Sequence, residues 1–142
     1  MILKVKKLRE ESILPCYAHH GDAGLDLFSC VEMVIPANEV GLIPTGIAIQ
    51  LPSNAEAQIR PRSGLALNQK ITVLNSPGTI DYGYRGEIGV ILINHNNLPI
   101  KISIGMKIAQ MVIKPVITVE VEEVYELTET QRGIGGFGSS GI

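Results

Sequence analysis

The chain has 142 residues, of which 45% are apolar, and its 14 acidic and 12 basic residues give a net charge of -2. This length and apolar content predict one domain with its own core. The balanced charge, without a long run of Lys or Arg, argues against a nucleic-acid partner, and the absence of a long apolar stretch argues against a membrane one. Two cysteines, Cys16 and Cys30, are too few for a disulfide framework, and we predict two buried thiols in a cytoplasmic protein.

Strand patterns dominate the chain from its start. Residues 1–7 alternate apolar residues with lysines and predict a strand. The runs Gly46 to Leu51 and Ile88 to Ile93 are almost continuously apolar and β-branched, so we predict strands that are covered on both faces. Val116 to Val121 alternates strictly between apolar and polar residues, which predicts a half-buried strand.

Prolines and glycines interrupt these patterns at short intervals, so the strands must be short. Only residues 62–68 have a pattern that allows a helical turn or two. Many short strands without helical periodicity favour a sandwich, jelly roll or barrel over a βαβ arrangement. We therefore predict an all-β domain over residues 1–130, followed by a flexible glycine-rich tail over residues 131–142.

Five segments contain residue types that can bind a ligand or catalyse a reaction. The first two are an aspartate-containing strand and an arginine-rich turn. In DAGLDL at 22–27, Asp26 lies between two leucines that point away from it, so its carboxylate faces a cleft or solvent. RPRSGLA at 60–66 offers arginines, a hydroxyl and glycine amides to an anion. The ordinary alternatives are a surface aspartate at a strand start and a surface turn.

The third and fourth segments place polar side chains beside apolar strands. GTIDYGYRGEIG at 78–89 predicts a β-hairpin from about Ile80 to Gly89, with Asp81 and Tyr84 near its mouth. An aspartate there more commonly caps a turn. GMKIAQM at 105–111 puts Gln110 in an apolar strand, where its amide must find hydrogen-bond partners or contact a ligand. An exposed strand face is an equal alternative.

The fifth segment is the glycine-rich tail. Its consecutive backbone amides can bind phosphate, with Arg132 adding charge and Phe137 a stacking face. The alternative is a disordered terminus. An aromatic residue among so many glycines is unusual for a linker, and Phe137 needs something to cover it.

Together and in this order, the five segments resemble the trimeric dUTP pyrophosphatase (dUTPase) family over nearly the whole chain. Two departures from the family pattern are small. Ser139 and Ser140 stand where a threonine often takes the second position, and Tyr82 and Gly83 fill the variable pair after the aspartate. The resemblance rests on AGLDL at 23–27, RSGLA at 62–66, GTIDYGYRG at 78–86, GMKIAQM at 105–111 and RGIGGFGSSG at 132–141.

The resemblance implies hydrolysis of dUTP to dUMP and pyrophosphate by attack of water on the α-phosphorus. This reaction keeps uracil out of DNA and supplies dUMP for dTMP synthesis. Asp81 is then the general base that activates the water. Tyr84 packs under the deoxyribose and leaves no room for a 2′-hydroxyl. The residues implied to read the uracil edge are Asn75 and backbone groups of Thr79, Ile80 and Gly89.

The other matching residues are implied to handle the triphosphate. Mg²⁺ is the implied cofactor, chelated by the triphosphate, with Asp26 holding the ion through water. Phe137 stacks on the uracil when the tail closes. The implied phosphate contacts are Arg62, Ser63, Gly64 and Gln110, and the implied closing residues are Arg132, Phe137, Gly138 and Ser139.

The resemblance also implies a quaternary structure. The family fold is a distorted β jelly roll or barrel that assembles as a homotrimer. Each active site then combines the first, second and fourth segments of one chain, the hairpin of another and the tail of a third.

Two other functions stay open from the sequence. A related dCTP deaminase shares the fold and uses a glutamate beside the pyrimidine to hydrolyse the C4 amino group, and Glu87 is the nearby candidate. A nucleotide-binding regulatory protein would keep the fold without turnover, although such a protein has no need of a general base like Asp81.

Overall fold

The computed structural model of the chain describes residues 1–139 and 141. Across them the backbone forms eleven strands and one seven-residue helix, and the described part contains no helix long and apolar enough to cross a membrane. In chain order the elements are β1 (Lys4–Lys7), β2 (Leu25–Phe28), β3 (Met33–Ile35), β4 (Val40–Pro44), β5 (Ile47–Gln50), β6 (Ala55–Arg60), α1 (Ser63–Gln69), β7 (Ile71–Val73), β8 (Gly78–Ile80), β9 (Gly89–Asn94), β10 (Ile100–Ile102) and β11 (Lys107–Pro115).

The strands pair in an antiparallel manner in two larger sheets and two small ladders. The four-stranded sheet has the order β2-β11-β6-β8, and the three-stranded sheet has the order β4-β9-β7. The ladders are β1 with β5 and β3 with β10. Strands that are consecutive in the described chain always belong to different sheets or ladders. The chain therefore crosses between layers at every connection, and the predicted all-β class is confirmed.

A single aliphatic cluster forms the core, and every sheet and ladder contributes to it. β6 alternates, with Ala55, Ala57 and Ile59 buried and partly exposed polar side chains between them. β9 repeats the pattern with Val90 and Leu92. Each fully buried branched side chain stabilises the fold by roughly 1.5–3 kcal/mol. The core therefore packs against the inner faces of both larger sheets.

Three local predictions were confirmed: the N-terminal strand, the short helix and the buried run 46–51. The N-terminal strand is β1, and the short helix α1 begins at Ser63, within the predicted stretch. The run 46–51 contains β5, where Ile47, Ala48 and Ile49 are buried in succession. For the run 88–93, the prediction of cover on both faces is wrong within this chain, because Ile88, Val90 and Leu92 are buried whereas Ile91 and Ile93, on the other face of β9, are partly exposed.

The predicted strand over residues 116–121 is wrong for this chain. β11 ends at Pro115, and no strand follows it in the described residues. Ile117, Val119 and Val121 have 88%, 71% and 95% of their surface exposed. Alternation shows which face of an extended segment is apolar, but a strand also needs a neighbour for its backbone groups. In the described chain the Val116 N–H donates to the Asn54 carbonyl at 2.9 Å, but residues 117–121 make no backbone hydrogen bond.

The prediction of two buried thiols is half wrong. Cys30 is buried and its Sγ donates to the carbonyl of Pro44 at 3.3 Å. Burial raises the pKa of the Cys30 thiol. Cys16 is exposed instead, because it lies in the irregular segment before β2, where only its backbone is held by a bridge to Asp26.

The most connected buried polar side chain is Asn94 at the end of β9, which is fully buried. Its amide nitrogen lies 3.2 Å, 3.1 Å and 2.9 Å from the carbonyls of Ile35, Pro36 and Leu98. Its amide oxygen accepts the backbone N–H of Asn96 at 3.0 Å. One side chain thus joins the end of the three-stranded sheet to the β3–β10 ladder.

We expect Asn94→Ala to lower the free energy of unfolding by about 1–3 kcal/mol, because buried carbonyls lose their donor. Asn97→Ala is the matched control, since Asn97 is exposed and makes no side-chain hydrogen bond within the described residues. Its effect should stay within about 0.5 kcal/mol. Denaturant titration at equal chain concentration measures both values, and equal stability of the two variants would contradict the account.

Candidate active site

The first, second and fourth polar segments meet at one cavity of about 310 Å³, here called the Asp26 cavity. β2 provides Asp26, β11 provides Gln110, and the start of α1 provides the rest of one wall. The cavity is open to solvent and polar. Its lining residues are Ala18, Asp22, Ala23, Gly24, Asp26, Arg62, Ser63, Gly64 and Gln110.

A β-bulge determines which β11 side chains point toward Asp26. Gln110 pairs directly with Asp26, but the register shifts between Lys107 and Ala109, so that Lys107 pairs with Phe28. Side chains directly opposite each other in an antiparallel pair lie on the same face, and the extra residue of a bulge restores Lys107 to the face of Gln110. A regular strand would put them on opposite faces, because they are three residues apart.

Asp26 is buried and paired with two cations. Its side chain is 10% exposed, Oδ1 lies 3.2 Å from Nε of Arg62, and Oδ2 lies 2.7 Å from Nζ of Lys107. Arg62 also donates to the carbonyl of Lys107 at 3.4 Å. Asp26 thus faces the cleft as its strand pattern predicts, and its charge holds Arg62 and Lys107 in place. This trio carries one net positive charge, and Asp22 adds a second carboxylate to the cavity lining.

Gln110 is held by the segment before the helix. Its Nε2 donates to the carbonyl of Pro61 at 3.0 Å. Its Oε1 lies so close to Gly24 that a Cβ at that position would collide with it. Glycine is therefore required at position 24 if the Gln110 amide is to keep this orientation.

The start of α1 presents free backbone amides to the cavity. Arg62 is the residue before the helix and makes no side-chain cap. The first amides of a helix have no partners inside the helix. Ser63 and Gly64 are exposed, and the space around Gly64 is open. An anion in the cavity would find a hydroxyl, backbone N–H groups and the Arg62 guanidinium side by side.

The segment of residues 81–88 is not the predicted β-hairpin. β8 pairs with β6, whereas β9 pairs with β4 and β7, so the two flanking strands lie in different sheets. The turn signals in this segment therefore close a connection between layers rather than a two-stranded ladder. A hydrogen bond of 3.0 Å from the Tyr84 N–H to the Asp81 carbonyl shapes its first turn.

Asp81 lies at the start of this connection, with an exposed side chain. Within the described residues its carboxylate accepts no hydrogen bond and forms no ion pair. A turn-capping aspartate would accept a nearby backbone N–H. Asp81 lines a second cavity, of about 440 Å³, whose lining residues are Ser53, Asn54, Ala55, Glu56, Asp81, Tyr82, Gly83, Val116 and Thr118.

Tyr84 and Gly89 line a third cavity, of about 490 Å³, together with Arg9, Leu42, Pro44, Glu87 and Ile91. The Tyr84 hydroxyl donates to the Glu87 carbonyl at 2.9 Å. Arg85 donates to the carbonyls of Tyr82 and Tyr84 at 2.7 Å and 2.8 Å. The connection is therefore braced by its own side chains.

Three of the four residues predicted to read a base lie on or beside the free edge of the four-stranded sheet, whereas Gly89 starts β9, the central strand of the other sheet. β8 contributes Thr79 and Ile80, and it is the outermost strand of the four-stranded sheet, paired only with β6 in the described chain. An outermost strand has unpaired N–H and C=O groups along one edge. Asn75 is exposed, and its amide group lies against Gly78 at the start of this strand.

The tail residues lie apart from the three cavities. Arg132 donates from Nε to the carbonyl of Gly135 at 2.9 Å, and Phe137 is completely exposed. Gly138 and Ser139 are exposed as well. Ser140 and Ile142, which belong to the predicted tail, lie outside the described residues. One chain thus brings together the residues of the Asp26 cavity but not Asp81, Tyr84 or the tail.

The donor atoms of the Asp26 cavity fit Mg²⁺ only in company with a phosphate ligand. No cluster of three potential metal ligands exists in residues 1–139 and 141. Of the two carboxylates, that of Asp22 accepts the His19 N–H, and Asp26 already faces two cations, although its buried Oδ2 has no aligned hydrogen bond. Mg²⁺ commonly uses one or two carboxylates with waters and substrate phosphates. The set therefore fits an ion that arrives with a triphosphate.

Two charged groups at or beside these cavities, Lys107 and Arg9, were not predicted from the sequence. The contact of Lys107 with Asp26 was not predicted because only the bulge brings the two side chains together. Arg9 was not predicted because it lies outside every motif and 78 positions from its partner Glu87. In the structure their side chains are 3.3 Å apart. No local sequence signal reveals either contact. The lysine in the fourth motif was at least inside a segment already singled out.

Comparisons with known proteins agree with this geometry. The dUTPase family profile matches residues 10–141. Deoxyuridine 5′-triphosphate nucleotidohydrolases of Gloeothece citriformis and Clostridium acetobutylicum are 65% and 64% identical, over 100% and 99% of this chain and 98% and 97% of theirs. The structure of the Staphylococcus bacteriophage 80alpha dUTPase with dUPNHPP is similar, with a TM-score of 0.93, 29% identity and 99% of each chain covered.

A second solved structure adds a metal. The dUTPase from phage phi11 of S. aureus, described with a structural Mg(II) ion, has a TM-score of 0.83 and 28% identity, and the match covers 89% of this chain and 98% of that one. The predicted jelly-roll fold of the dUTPase type is confirmed by these likenesses. By its profile, its relatives and its fold, the chain belongs to the dUTPase family.

Proposed function

We propose that this protein hydrolyses dUTP to dUMP and pyrophosphate by attack of water on the α-phosphorus. The observation that carries the proposal is that the exposed carboxylate of Asp81 has no hydrogen-bond or ion-pair partner in the described chain. A general base must have a free lone pair within reach of the water that it deprotonates. Because the chain belongs to the dUTPase family, we take dUTP as the substrate on which this carboxylate acts.

The Asp26 cavity binds the triphosphate in this proposal. Arg62 supplies a guanidinium, which suits the geometry of phosphate oxygens, and Ser63 and Gly64 supply backbone amides. The Gln110 amide completes the wall. Support comes from the meeting of these four residues at one cavity and from the positive charge that Lys107 adds beside them.

Mg²⁺ is the proposed cofactor, and when bound by the triphosphate it neutralises charge on the phosphates and the leaving pyrophosphate. Asp26 would hold the ion through water. Both oxygens already face cations, Oδ1 facing Arg62 and Oδ2 facing Lys107, so a water of the ion would share one of them, and Oδ2, which has no aligned hydrogen bond, is the candidate. The structural Mg(II) ion described for the phage phi11 relative supports a divalent ion in this family.

The base and sugar are read by the free edge of β8 and by Tyr84. Backbone groups of Thr79 and Ile80, with Gly89 and the Asn75 amide, would pair with the uracil edge. Such paired polar groups reject a base with the wrong donors far more strongly than an apolar pocket does. The Tyr84 ring would lie under the deoxyribose and exclude a 2′-hydroxyl.

The complete site requires more than one chain. We propose a homotrimer in which the Asp26 cavity of one chain meets Asp81 and Tyr84 of a second chain and the tail of a third. Residues 1–130 form the β domain, and residues 131–142 form a tail that closes over the nucleotide. Arg132 and Ser139 would contact phosphate, Gly138 would permit the close approach, and Phe137 would stack on uracil. The separation of these groups within one chain supports this arrangement.

The dCTP deaminase alternative depends on Glu87, and the contacts of this residue argue against it. Glu87 is engaged through both carboxylate oxygens, with the Gly46 N–H at 2.9 Å and with Arg9 at 3.3 Å. A glutamate that shuttles protons to a C4 amino group needs a free oxygen facing the base. The contacts of Glu87 leave neither oxygen free for that task.

The reaction is tested by following products from dUTP, dCTP, dTTP and UTP with Mg²⁺. We expect pyrophosphate and the monophosphate from dUTP, with much slower turnover of the other three, because the base edge and the sugar are both read. Release of ammonia from dCTP would contradict the proposal and support deamination. Binding of dUTP without any product would support the regulatory protein.

Asp81→Asn tests the base. We expect kcat for dUTP to fall about 10²- to 10⁴-fold, the usual contribution of a positioned base, because the amide cannot take the proton. Binding of dUPNHPP, measured by calorimetry, should be retained. Glu39→Gln, at an exposed acidic residue outside the three cavities, is the matched control and should keep wild-type kcat. A near-wild-type kcat in Asp81→Asn would refute the role of Asp81.

A further inference from the structure

The connection that carries Tyr84 ends on a corner of the neighbouring strands. The Ile88 N–H donates to the carbonyl of Ile47 at 2.9 Å. The Thr45 N–H and hydroxyl both donate to the Ile88 carbonyl, at 3.1 Å and 2.6 Å. Ile88 is fully buried. The end of the connection is thus firmly attached to the corner between β4 and β5.

Glu87 makes the corresponding attachment with its side chain. Its Oε1 accepts the Gly46 N–H at 2.9 Å, and its Oε2 lies 3.3 Å from Nη2 of Arg9. The carbonyl of the same residue accepts the Tyr84 hydroxyl at 2.9 Å. Glu87 therefore links the tyrosine to the β4–β5 corner through one residue.

The corner that Glu87 grips is itself rigid. Gly46 has a φ of +70°, and a Cβ there would collide with the Ser12 hydroxyl. Its carbonyl accepts both the Leu8 N–H at 2.7 Å and the Ser12 hydroxyl at 2.7 Å. Ser12 is buried. Gly46 is hydrogen-bonded through both its N–H and its carbonyl, so it moves little. It therefore holds the Glu87 carboxylate in one place.

The Tyr84 ring also depends on the residue between it and the anchor. The ring lies across Gly86, where a Cβ would be 2.6 Å from Cζ of the tyrosine. Tyr84 is 44% exposed, so burial alone does not fix its ring. Its position is set by the space over Gly86 and by the hydrogen bond to the Glu87 carbonyl.

We infer that Glu87 is a positioning residue for sugar discrimination: its grip on Gly46 places the carbonyl that orients the Tyr84 ring. This inference rests on the proposed function, in which the ring excludes a 2′-hydroxyl. A ring that shifts by even a fraction of an ångström gives room to the hydroxyl, whereas the phosphates in the Asp26 cavity are bound by other residues. Loss of the anchor should therefore change selectivity between dUTP and UTP.

The test compares kcat/KM for dUTP and for UTP in Glu87→Ala, Glu87→Gln and Glu32→Ala. We expect Glu87→Ala to lower the dUTP/UTP ratio about tenfold, since small misplacements of positioning groups have large kinetic effects. Glu87→Gln should keep the ratio near wild type, because its amide oxygen still accepts the Gly46 N–H. Glu32→Ala is the control, since it removes only a surface pair with Lys101, at 3.3 Å.

The outcomes separate this inference from the proposed function. A wild-type protein that does not hydrolyse dUTP, or that does not distinguish it from UTP, overturns the proposed function. A wild-type protein that discriminates, with an unchanged ratio in Glu87→Ala, overturns the inference alone. A merely structural role would lower kcat/KM for both substrates equally. If Glu87→Ala does not fold, Glu87→Asp, which withdraws the carboxylate from Gly46 by one methylene, must lower the ratio, and an unchanged ratio again overturns the inference.

Discussion

The pairing of β11 with β2 on one side and with β6 on the other holds the phosphate-facing part of the site together. It places Gln110 opposite Asp26 and, across the other edge, opposite Arg60, two residues before Arg62. The bulge in the same strand adds Lys107. Residues from distant parts of the sequence therefore meet without any flexible segment, and backbone hydrogen bonds fix their spacing.

Charge within this group is arranged for an anion. A buried carboxylate that is left unpaired is strongly unfavourable, and the two cations beside Asp26 remove that cost. They also remain partly exposed, with a third of the Arg62 side chain and 39% of the Lys107 side chain in contact with solvent. The carboxylate thus positions cations that can still reach a phosphate. Because Asp26 already faces two cations, a metal ion would bind at this cavity only together with the phosphates that chelate it.

The rest of the chain has surfaces that a single copy leaves open. Ile117, Val119 and Val121 alternate with polar residues in a segment that forms no strand in the described chain, and Phe137 is wholly exposed. On the outer face of the three-stranded sheet, Leu42 is 62% exposed. Exposed apolar side chains of this kind mark sites where another chain binds when they form a contiguous patch. The catalytic carboxylate of the proposal and the phosphate cavity are separate within one chain, which agrees with a site shared between copies.

Sequence patterns predicted what is local and missed what depends on pairing. The strand character of the chain, the helix at 63–69 and the meeting of the first, second and fourth motifs follow from alternation, turn residues and family resemblance. The hairpin prediction was wrong because turn residues do not specify which sheet each flanking strand joins. Lys107 was missed because a one-residue bulge reverses the side of a strand that a side chain faces.

The central claim is that each active site combines groups from different chains. The most direct measurement mixes two inactive proteins, Asp81→Asn and a chain that lacks residues 131–142, after each is unfolded and the two are refolded together. If Asp81 and the tail of one site come from different copies, random assembly of equal amounts should restore about a quarter of wild-type dUTP hydrolysis. Activity no greater than that of the separately refolded variants would show that one chain supplies both groups, and it would contradict the account.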